Sequence, residues 1–191
     1  TVNLTAMSVN VTFWYVWYTN ASKNVMMLRL FANATTIVAI AIIFANSLAA
    51  DPNMKILSNV FGVTQEGQDV TRFTLTNSHG HSVSVMTWGA TLLDVKVPDR
   101  NGNRANVNLA FDQLEPYLDG HPYFGSTVGR FCNRIAEGKF TIDGLPYQVT
   151  TNAGKHHIHG GKVNFTYQNW SAESFETEDA VGVRFQLTSP D

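Results

Sequence analysis

Residues 82–87 read Ser82-Val83-Ser84-Val85-Met86-Thr87, and this stretch decides the fold class. Its β-branched residues recur at every second position, which is the period of a strand with one buried face. The same period returns in two other places, at Leu93, Val95 and Val97 and again at Val183, Phe185 and Leu187. After residue 51 no long segment has the 3.6-residue period of an amphipathic helix, although residues 113–118 are compatible with one helical turn. The pattern therefore predicts an all-β protein.

Turn signals separate the predicted strands. Pro98-Asp99-Arg100-Asn101-Gly102 joins a proline that presets φ to an Asn-Gly pair that tolerates positive φ. Asp143-Gly144 stands between two alternating runs at 140–142 and 147–149, which is the arrangement of a β-hairpin. A further strand is predicted where alternation resumes at Val107, Leu109 and Phe111. These strands are too many for one flat sheet, so the sequence predicts an antiparallel β-sandwich.

The first fifty residues differ from the rest. Met26-Met27-Leu28-Arg29, an apolar run at 37–45 and the small-residue zone Ser47-Leu48-Ala49-Ala50 are the three parts of a secretory signal. The apolar run is about half of what spans a bilayer, so a lasting membrane anchor is the weaker interpretation. Residues 1–25 show no clear period, and we interpret them as a non-native upstream extension. The expected organisation is an extension at 1–25, a signal peptide at 26–50 and a domain at 51–191, with export to the periplasm or the exterior.

Composition excludes several partners. A chain of 191 residues with a net charge of −2 and scattered lysines and arginines has no basic stripe for nucleic acid. The lone Cys132 rules out an intrachain disulfide and a cysteine-based metal site, and its apolar surroundings predict a small core residue. The sequence does not determine the oligomeric state.

Residues 121–161 are rich in groups that bind polar small molecules. Asn133 offers a donor and an acceptor, and Arg134 offers a rigid donor fork, a combination that suits neighbouring hydroxyls. We expect Tyr123, Phe124 and Trp170 to supply the apolar platform on which sugar rings stack.

Structural alternatives remain open for the same residues. Asn133-Arg134 is compatible with a surface turn bridged to Glu137, and His159 with a satisfied core histidine. The run His156-His157-Ile158-His159 suggests zinc, but no second ligand set with suitable spacing follows. Sequons of the N-x-[ST] type begin at six positions, and such matches arise often by chance in an Asn- and Thr-rich chain. They are Asn3, Asn10, Asn20, Asn33, Asn164 and Asn169.

Ten short motifs form an ordered series between residues 88 and 161. They are Trp88-Gly89-Ala90-Thr91, Val97-Pro98-Asp99-Arg100-Asn101-Gly102, Tyr117-Leu118, His121-Pro122-Tyr123-Phe124-Gly125, Val128-Gly129-Arg130, Asn133-Arg134-Ile135-Ala136, Gly138-Lys139-Phe140, Asp143-Gly144, Asn152 and His159-Gly160-Gly161. Over about residues 58–191 their order and spacing closely resemble the aldose 1-epimerases, or galactose mutarotases. The combination of G-R-x-x-N-R-I-A with a downstream H-G-G is the specific part of this resemblance.

The resemblance implies an antiparallel β-supersandwich that binds an aldohexose in a shallow cleft and interconverts its α and β anomers. It implies no metal and no organic cofactor. By position, the residues that hold the sugar are Asn133, Arg134 and His159.

The resemblance also implies that the catalytic residues lie elsewhere. The general acid of the family is a second histidine and its general base a glutamate, both downstream of a Ser-Pro-Asp-Gly segment. This sequence stops at Ser189-Pro190-Asp191, so we expect an N-terminal portion without its own acid and base, inactive alone.

Two departures from the family pattern leave the preferred sugar open. Asn164-Phe165 stands where the family has Gly-Phe, and Lys155-His156-His157 replaces a Pro-Asn type of loop. Two other functions remain alternatives: a non-catalytic carbohydrate-binding sandwich, and an epimerase of phosphorylated sugars. The latter would use the cations Arg130, Arg134 and Lys155.

Overall fold

A computed structural model describes the backbone of residues 9–18 and residues 54–189 in full. The signal-peptide prediction at 26–50 lies outside the described residues. Among those described, no helix has the length and apolar character needed to cross a bilayer. The elements are nearly all strands: β1 Val9–Tyr18, β2 Lys55–Val63, β3 Asp69–Thr76, β4 Ser82–Met86, β5 Thr91–Pro98, β6 Arg104–Asn106, β7 Arg134–Ile135, β8 Lys139–Ile142, β9 Leu145–Gln148, β10 His157–Ile158, β11 Ser171–Glu176 and β12 Ala180–Ser189. The helix α1 (Glu115–Leu118) and 3-10 turns at Ala136–Gly138 and Phe165–Tyr167 complete the described part.

Two antiparallel sheets form the body of the protein. The strand order is β2-β3-β4-β5-β6 in the larger sheet and β1-β12-β11 in the smaller one, while β7 pairs with β10 and β8 with β9. Side chains from both sheets meet in one core, in which Phe73 of β3 packs edge-on against Phe185 of β12 with ring centroids 6.3 Å apart. The predicted antiparallel β-sandwich is confirmed.

A second core explains why β4 is buried on both faces. Val83 and Val85 point into the core between the sheets, whereas Met86 points to the opposite face. There it joins Tyr117 of α1 and Leu114, both of which are almost fully buried. The helical turn predicted within 113–118 therefore covers the outer face of the larger sheet, and the alternation at 82–87 separates two apolar environments rather than core from solvent.

Both predicted turns are present. The Asp99 carboxylate accepts backbone hydrogen bonds from Asn101 (2.8 Å) and Asn103 (2.9 Å), which lower its pKa. Asp143 and Gly144 have φ of 50° and 79°, and two positive φ values match the twist of the β8–β9 hairpin.

The strand predicted around Val107 and Leu109 is wrong. Asparagine side chains take over the pairing there: Asn106 Oδ1 accepts from the Val95 N–H (2.9 Å), and Asn108 Nδ2 donates to the Leu92 carbonyl (3.0 Å). The chain leaves the sheet after β6, and Val107 and Leu109 are exposed. Such side-chain substitutes for a backbone ladder are a property of asparagine that apolar periodicity does not reveal.

A strand also occurs where the sequence shows no period. Strand β1 lies within residues 1–25 and pairs with β12 over ten positions, from Val9 opposite Ser189 to Tyr18 opposite Ala180. The interpretation of residues 1–25 as an upstream extension stays a prediction.

Candidate functional site

The shortest antiparallel ladder in the described chain builds the candidate site. In it, Ile158 pairs with Arg134 and His157 with Ile135. The next pair outward is Asn133 and His159, joined by the His159 N–H donating to the Asn133 carbonyl at 2.9 Å. Two motifs separated by 26 positions in the sequence are thereby brought together.

A second hydrogen bond between Asn133 and His159 sets the tautomer of the neutral imidazole. The Asn133 N–H donates to His159 Nδ1 at 3.2 Å, so Nδ1 carries a lone pair. In the neutral ring the proton must then sit on Nε2. His159 is half-buried and held through its backbone and Nδ1, which leaves Nε2–H as the hydrogen-bond donor that a ligand would meet.

Arg134 presents its guanidinium to solvent. In the described part of the chain, its side chain makes neither a hydrogen bond nor an ion pair. The alternative of a bridge to Glu137 is wrong, because that carboxylate lies 3.6 Å from Lys139 Nζ and 3.5 Å from Lys155 Nζ. Both pairs are exposed and each stabilises the fold by at most about 1 kcal/mol.

Gly160 is required by close packing of the two motifs. A Cβ at this position would overlap the Gly129 carbonyl oxygen and lie 2.5 Å from the carbonyl carbon. The φ of Gly160 is 88°, a region that side chains with a Cβ rarely adopt. The H-G-G corner therefore rests directly on the backbone of the G-R turn, which explains why the two motifs occur together.

The three histidines have separate partners. His156 Nδ1 accepts from the Glu137 N–H at 3.1 Å, while His157 Nδ1 donates to the Thr150 carbonyl at 2.8 Å. Within residues 9–18 and 54–189, no group of three or more histidine, cysteine or acidic side chains could hold a metal ion. Asn152 supports the ladder from behind, accepting from the Ile158 N–H (2.8 Å) and donating to its carbonyl (2.9 Å).

Aromatic rings form one wall of the site. The Tyr123 ring lies 4.5 Å from the His159 ring, centroid to centroid, at an interplanar angle of 52°. Burial raises the pKa of the Tyr123 phenol, and neighbouring Tyr167 raises it further. His121 packs against Tyr117 at 4.9 Å, and burial lowers its pKa, so that its imidazole is neutral near pH 7.

The three expected platform residues have different surroundings. Trp170 is 2% exposed and donates from Nε1 to the Phe165 carbonyl in the main core, so its expected role as a platform is wrong. Phe124 packs on Phe111 at 5.8 Å. Only Tyr123 is beside His159.

Arg130 and Cys132 lie in the loop that leads to the site and differ in their contacts. Arg130 donates from Nε and Nη2 to the Ser189 hydroxyl and carbonyl, both at 3.0 Å, and so connects the G-R turn to the end of β12. Cys132 is exposed, and its prediction as a core residue is wrong because the G-R-x-x-N-R stretch is a surface loop.

Comparison with known proteins agrees with the motif series. The family model described as aldose 1-epimerase matches residues 71–191. The chain belongs to the aldose 1-epimerase family. It is 42% identical over 109 residues to the galactose mutarotase of Bos taurus, an alignment that covers 57% of this chain and 31% of that protein. It is 35% identical over 137 residues to the maltose epimerase of Levilactobacillus brevis, covering 71% of this chain and 39% of that protein.

A solved structure shows the same fold. The galactose 1-epimerase from Lactobacillus acidophilus NCFM superposes with a TM-score of 0.63 at 27% identity, covering 72% of this chain and 40% of that one. The chain therefore spans less than half the length of each of these three relatives.

Sequence reasoning missed Tyr167 and the function of Asn164. Asn164 is a buried cap, not a glycan acceptor: its Oδ1 accepts from the Thr166 N–H (3.0 Å) and its Nδ2 donates to the Gly161 carbonyl (2.8 Å). The asparagine of another sequon also bonds the backbone, since Asn169 Nδ2 donates to the Asp69 carbonyl at 3.0 Å. Asparagine two residues before the capped amide is the signal that identifies such a turn.

Proposed function

We propose that this member of the aldose 1-epimerase family binds an aldohexose such as glucose or galactose and takes part in converting its α anomer to its β anomer. One observation carries the proposal. The ladder that joins the two motifs bonds the Asn133 N–H to His159 Nδ1, which assigns the proton of the neutral ring to Nε2, while the neighbouring Arg134 guanidinium has no partner in the described chain. These are hydrogen-bond donors and acceptors on a rigid backbone, which suits the hydroxyls of a pyranose.

The reaction needs one base and one acid. The base removes the proton of the C1 hydroxyl while the acid protonates the ring oxygen, so the C1–O5 bond breaks and an open-chain aldehyde forms. Rotation about the C1–C2 bond and the reverse transfers close the ring as the other anomer. Correct placement of the sugar by Asn133, Arg134 and His159 contributes because orientation can remove several kcal/mol from a barrier.

We propose that the acid and base come from a part of the enzyme outside these 191 residues. The family resemblance supports this, since it implies a histidine and a glutamate downstream. The chain's coverage of 31–40% of its relatives is in accord with such a division. Reading the coding sequence beyond Asp191 separates this enzyme from a non-catalytic carbohydrate-binding sandwich, which needs neither residue.

The geometry favours a neutral sugar over a phosphosugar. A phosphate would call for several free cations, but Arg130 is bonded to Ser189 and Lys155 is paired with Glu137. Among the three candidate cations in the described chain, Arg134 alone has no partner.

Sugar binding and polarimetry test the proposal. The complete gene product is titrated with D-glucose and D-galactose, and the optical rotation of fresh α-D-glucose is followed in its presence. Arg134→Ala is expected to weaken sugar binding roughly tenfold or more, as for loss of a charged hydrogen bond. Arg100→Ala is the matched control, since this arginine is exposed in the turn after β5. Equal affinity of both variants and the parent would remove Arg134 from the site.

We further propose export directed by residues 26–50, with residues 1–25 preceding the true start. N-terminal sequencing of protein recovered outside the cytoplasm tests both, and a mature terminus well before Ala49 would contradict them. Strand β1, which pairs with β12, lies within residues 1–25. The same N-terminal sequencing therefore also shows whether residues 9–18 belong to the mature chain.

A further inference from the structure

The backbone holds Tyr123 in an unusual conformation beside His159. Its φ is 63°, in the left-handed region that bulky side chains seldom adopt unless the surrounding structure enforces it. In this conformation the phenol ring lies 4.5 Å from the imidazole of His159, centroid to centroid. Tyr123 is thus fixed next to the group that we propose to bind the sugar.

Tyr167 reaches the same place from a different element. It ends the 3-10 turn Phe165–Tyr167, and its ring centroid lies 6.2 Å from that of Tyr123. Both tyrosines are half-buried. Burial, followed by the charge and the hydrogen bonding of Tyr167, raises the pKa of Tyr123, so its hydroxyl is protonated at neutral pH.

A neutral ring lies behind the two phenols. His121 is 6.0 Å from Tyr123 and 6.0 Å from Tyr167, centroid to centroid, and only 7% exposed. Its Nδ1 has no hydrogen-bond partner among the described residues, and burial keeps it uncharged. Tyr123 and Tyr167, which are half-buried, are therefore the members of this cluster that a ligand can contact, whereas His121 is buried.

Asn164 connects Tyr167 to the H-G-G corner. Its amide caps the 3-10 turn through Thr166 and donates at 2.8 Å to the carbonyl of Gly161, which follows His159 by two residues. Asn164 is almost fully buried and stands where the resemblance implies glycine. The position of the Tyr167 phenol is therefore tied to that of His159 by a residue in which this chain departs from the family pattern.

We propose that Tyr123 and Tyr167 are specificity-determining residues of the sugar site, whose hydroxyls recognise one hydroxyl of an aldohexopyranose next to His159. This inference rests on the proposed function. A phenol that bonds a sugar hydroxyl discriminates against an analogue that lacks the hydroxyl, because the buried polar group then loses its partner. Asn164 is the positioning residue for this pair.

The test uses the complete gene product and compares D-glucose with its 2-, 3-, 4- and 6-deoxy analogues by calorimetry or ligand-observed NMR. Tyr167→Phe and Tyr123→Phe are each expected to weaken D-glucose binding roughly 3–10-fold, the range for one neutral hydrogen bond. The loss should disappear for the one deoxy sugar that lacks the recognised hydroxyl. Tyr147→Phe is the matched control, since Tyr147 stacks on Phe140 in the exposed β8–β9 hairpin.

Each outcome has a distinct meaning. A parent protein that binds no aldohexose refutes the proposed function and this inference with it. If the parent binds D-glucose while both phenylalanine variants match it, or lose affinity equally for every deoxy sugar, the inference alone is wrong. Asn164→Gly tests whether Asn164 positions Tyr167. This variant should discriminate less among the deoxy sugars, and adding Tyr167→Phe to it should cause no further loss of affinity for D-glucose.

Discussion

Replacing Gly160 by alanine should separate the two motifs that form the site. Two costs add at this position. The first is conformational, because alanine must adopt the φ of 88° that glycine has, at about 1–2 kcal/mol. The second is steric, because the new methyl group would overlap the Gly129 carbonyl.

The steric cost follows from what that carbonyl does. Its oxygen accepts the Phe165 N–H at 3.2 Å, so it cannot move aside without losing a hydrogen bond of about 1 kcal/mol. Displacing well-packed backbone adds roughly 1–3 kcal/mol. Gly160→Ala should therefore lower the free energy of unfolding by about 3–6 kcal/mol, a large part of the usual 5–15 kcal/mol.

Gly154→Ala isolates the conformational part. Gly154 has a φ of 60°, and a Cβ there would meet no atom within 4 Å, so only about 1–2 kcal/mol should be lost. Urea unfolding of the parent and both variants, followed by circular dichroism, measures the difference. If Gly160→Ala and Gly154→Ala are equally stable, the overlap with Gly129 is relieved at no cost and the close-packing explanation of H-G-G is wrong.

Three more changes test single contacts. Burial lowers the pKa of His121 in the folded protein, so the unfolded chain takes up the proton first as pH falls below about 6.5, and the free energy of unfolding falls with pH. The urea midpoint should therefore fall less between pH 7 and pH 5 in His121→Gln than in the parent. Parallel pH profiles for the two proteins would contradict this. Asn152→Ala removes both bonds to Ile158 and should cost about 1–3 kcal/mol by urea unfolding. Asn152→Asp should lose at least as much, because a carboxylate oxygen would then face the Ile158 carbonyl that Nδ2 now donates to. Arg130→Ala should lower stability by about 1 kcal/mol through its bonds to Ser189; unchanged urea midpoints would show that these exposed bonds contribute nothing.

The sandwich was predictable because its strands carry their own periodicity. Alternation at 82–87 and 183–187 reflects side chains that point to opposite faces, and both segments are strands. The exit of the chain from the sheet after β6 was not predictable in this way, since Asn106 and Asn108 direct it by side-chain bonds to residues more than ten positions away. Periodicity shows which residues are apolar, but it does not show where polar side chains take the place of the backbone hydrogen bonds of a sheet.

The candidate site also contains residues that the sequence predicted and one that it did not. Asn133, Arg134 and His159 follow from the motif series, and the structure places all three on one short ladder. Tyr167 does not follow, because its place beside Tyr123 depends on a left-handed tyrosine and on a cap formed by Asn164. Neither a positive φ at tyrosine nor a contact across 44 positions leaves a periodic trace in a sequence.

The two arginines of the G-R-x-x-N-R run illustrate how one short stretch serves two purposes. Arg130 donates to Ser189 at the end of β12, so it fixes the loop to a sheet edge. Arg134, four positions later, begins the ladder to β10 through its backbone and leaves its guanidinium outside the network. A flexible arginine would lose conformational entropy whenever it bound a sugar, which weakens binding. The ladder restricts the backbone at Arg134 but leaves its exposed guanidinium free to move, so that side chain would still lose rotamer freedom on binding. The same ladder sets the tautomer of His159 through the Asn133 N–H.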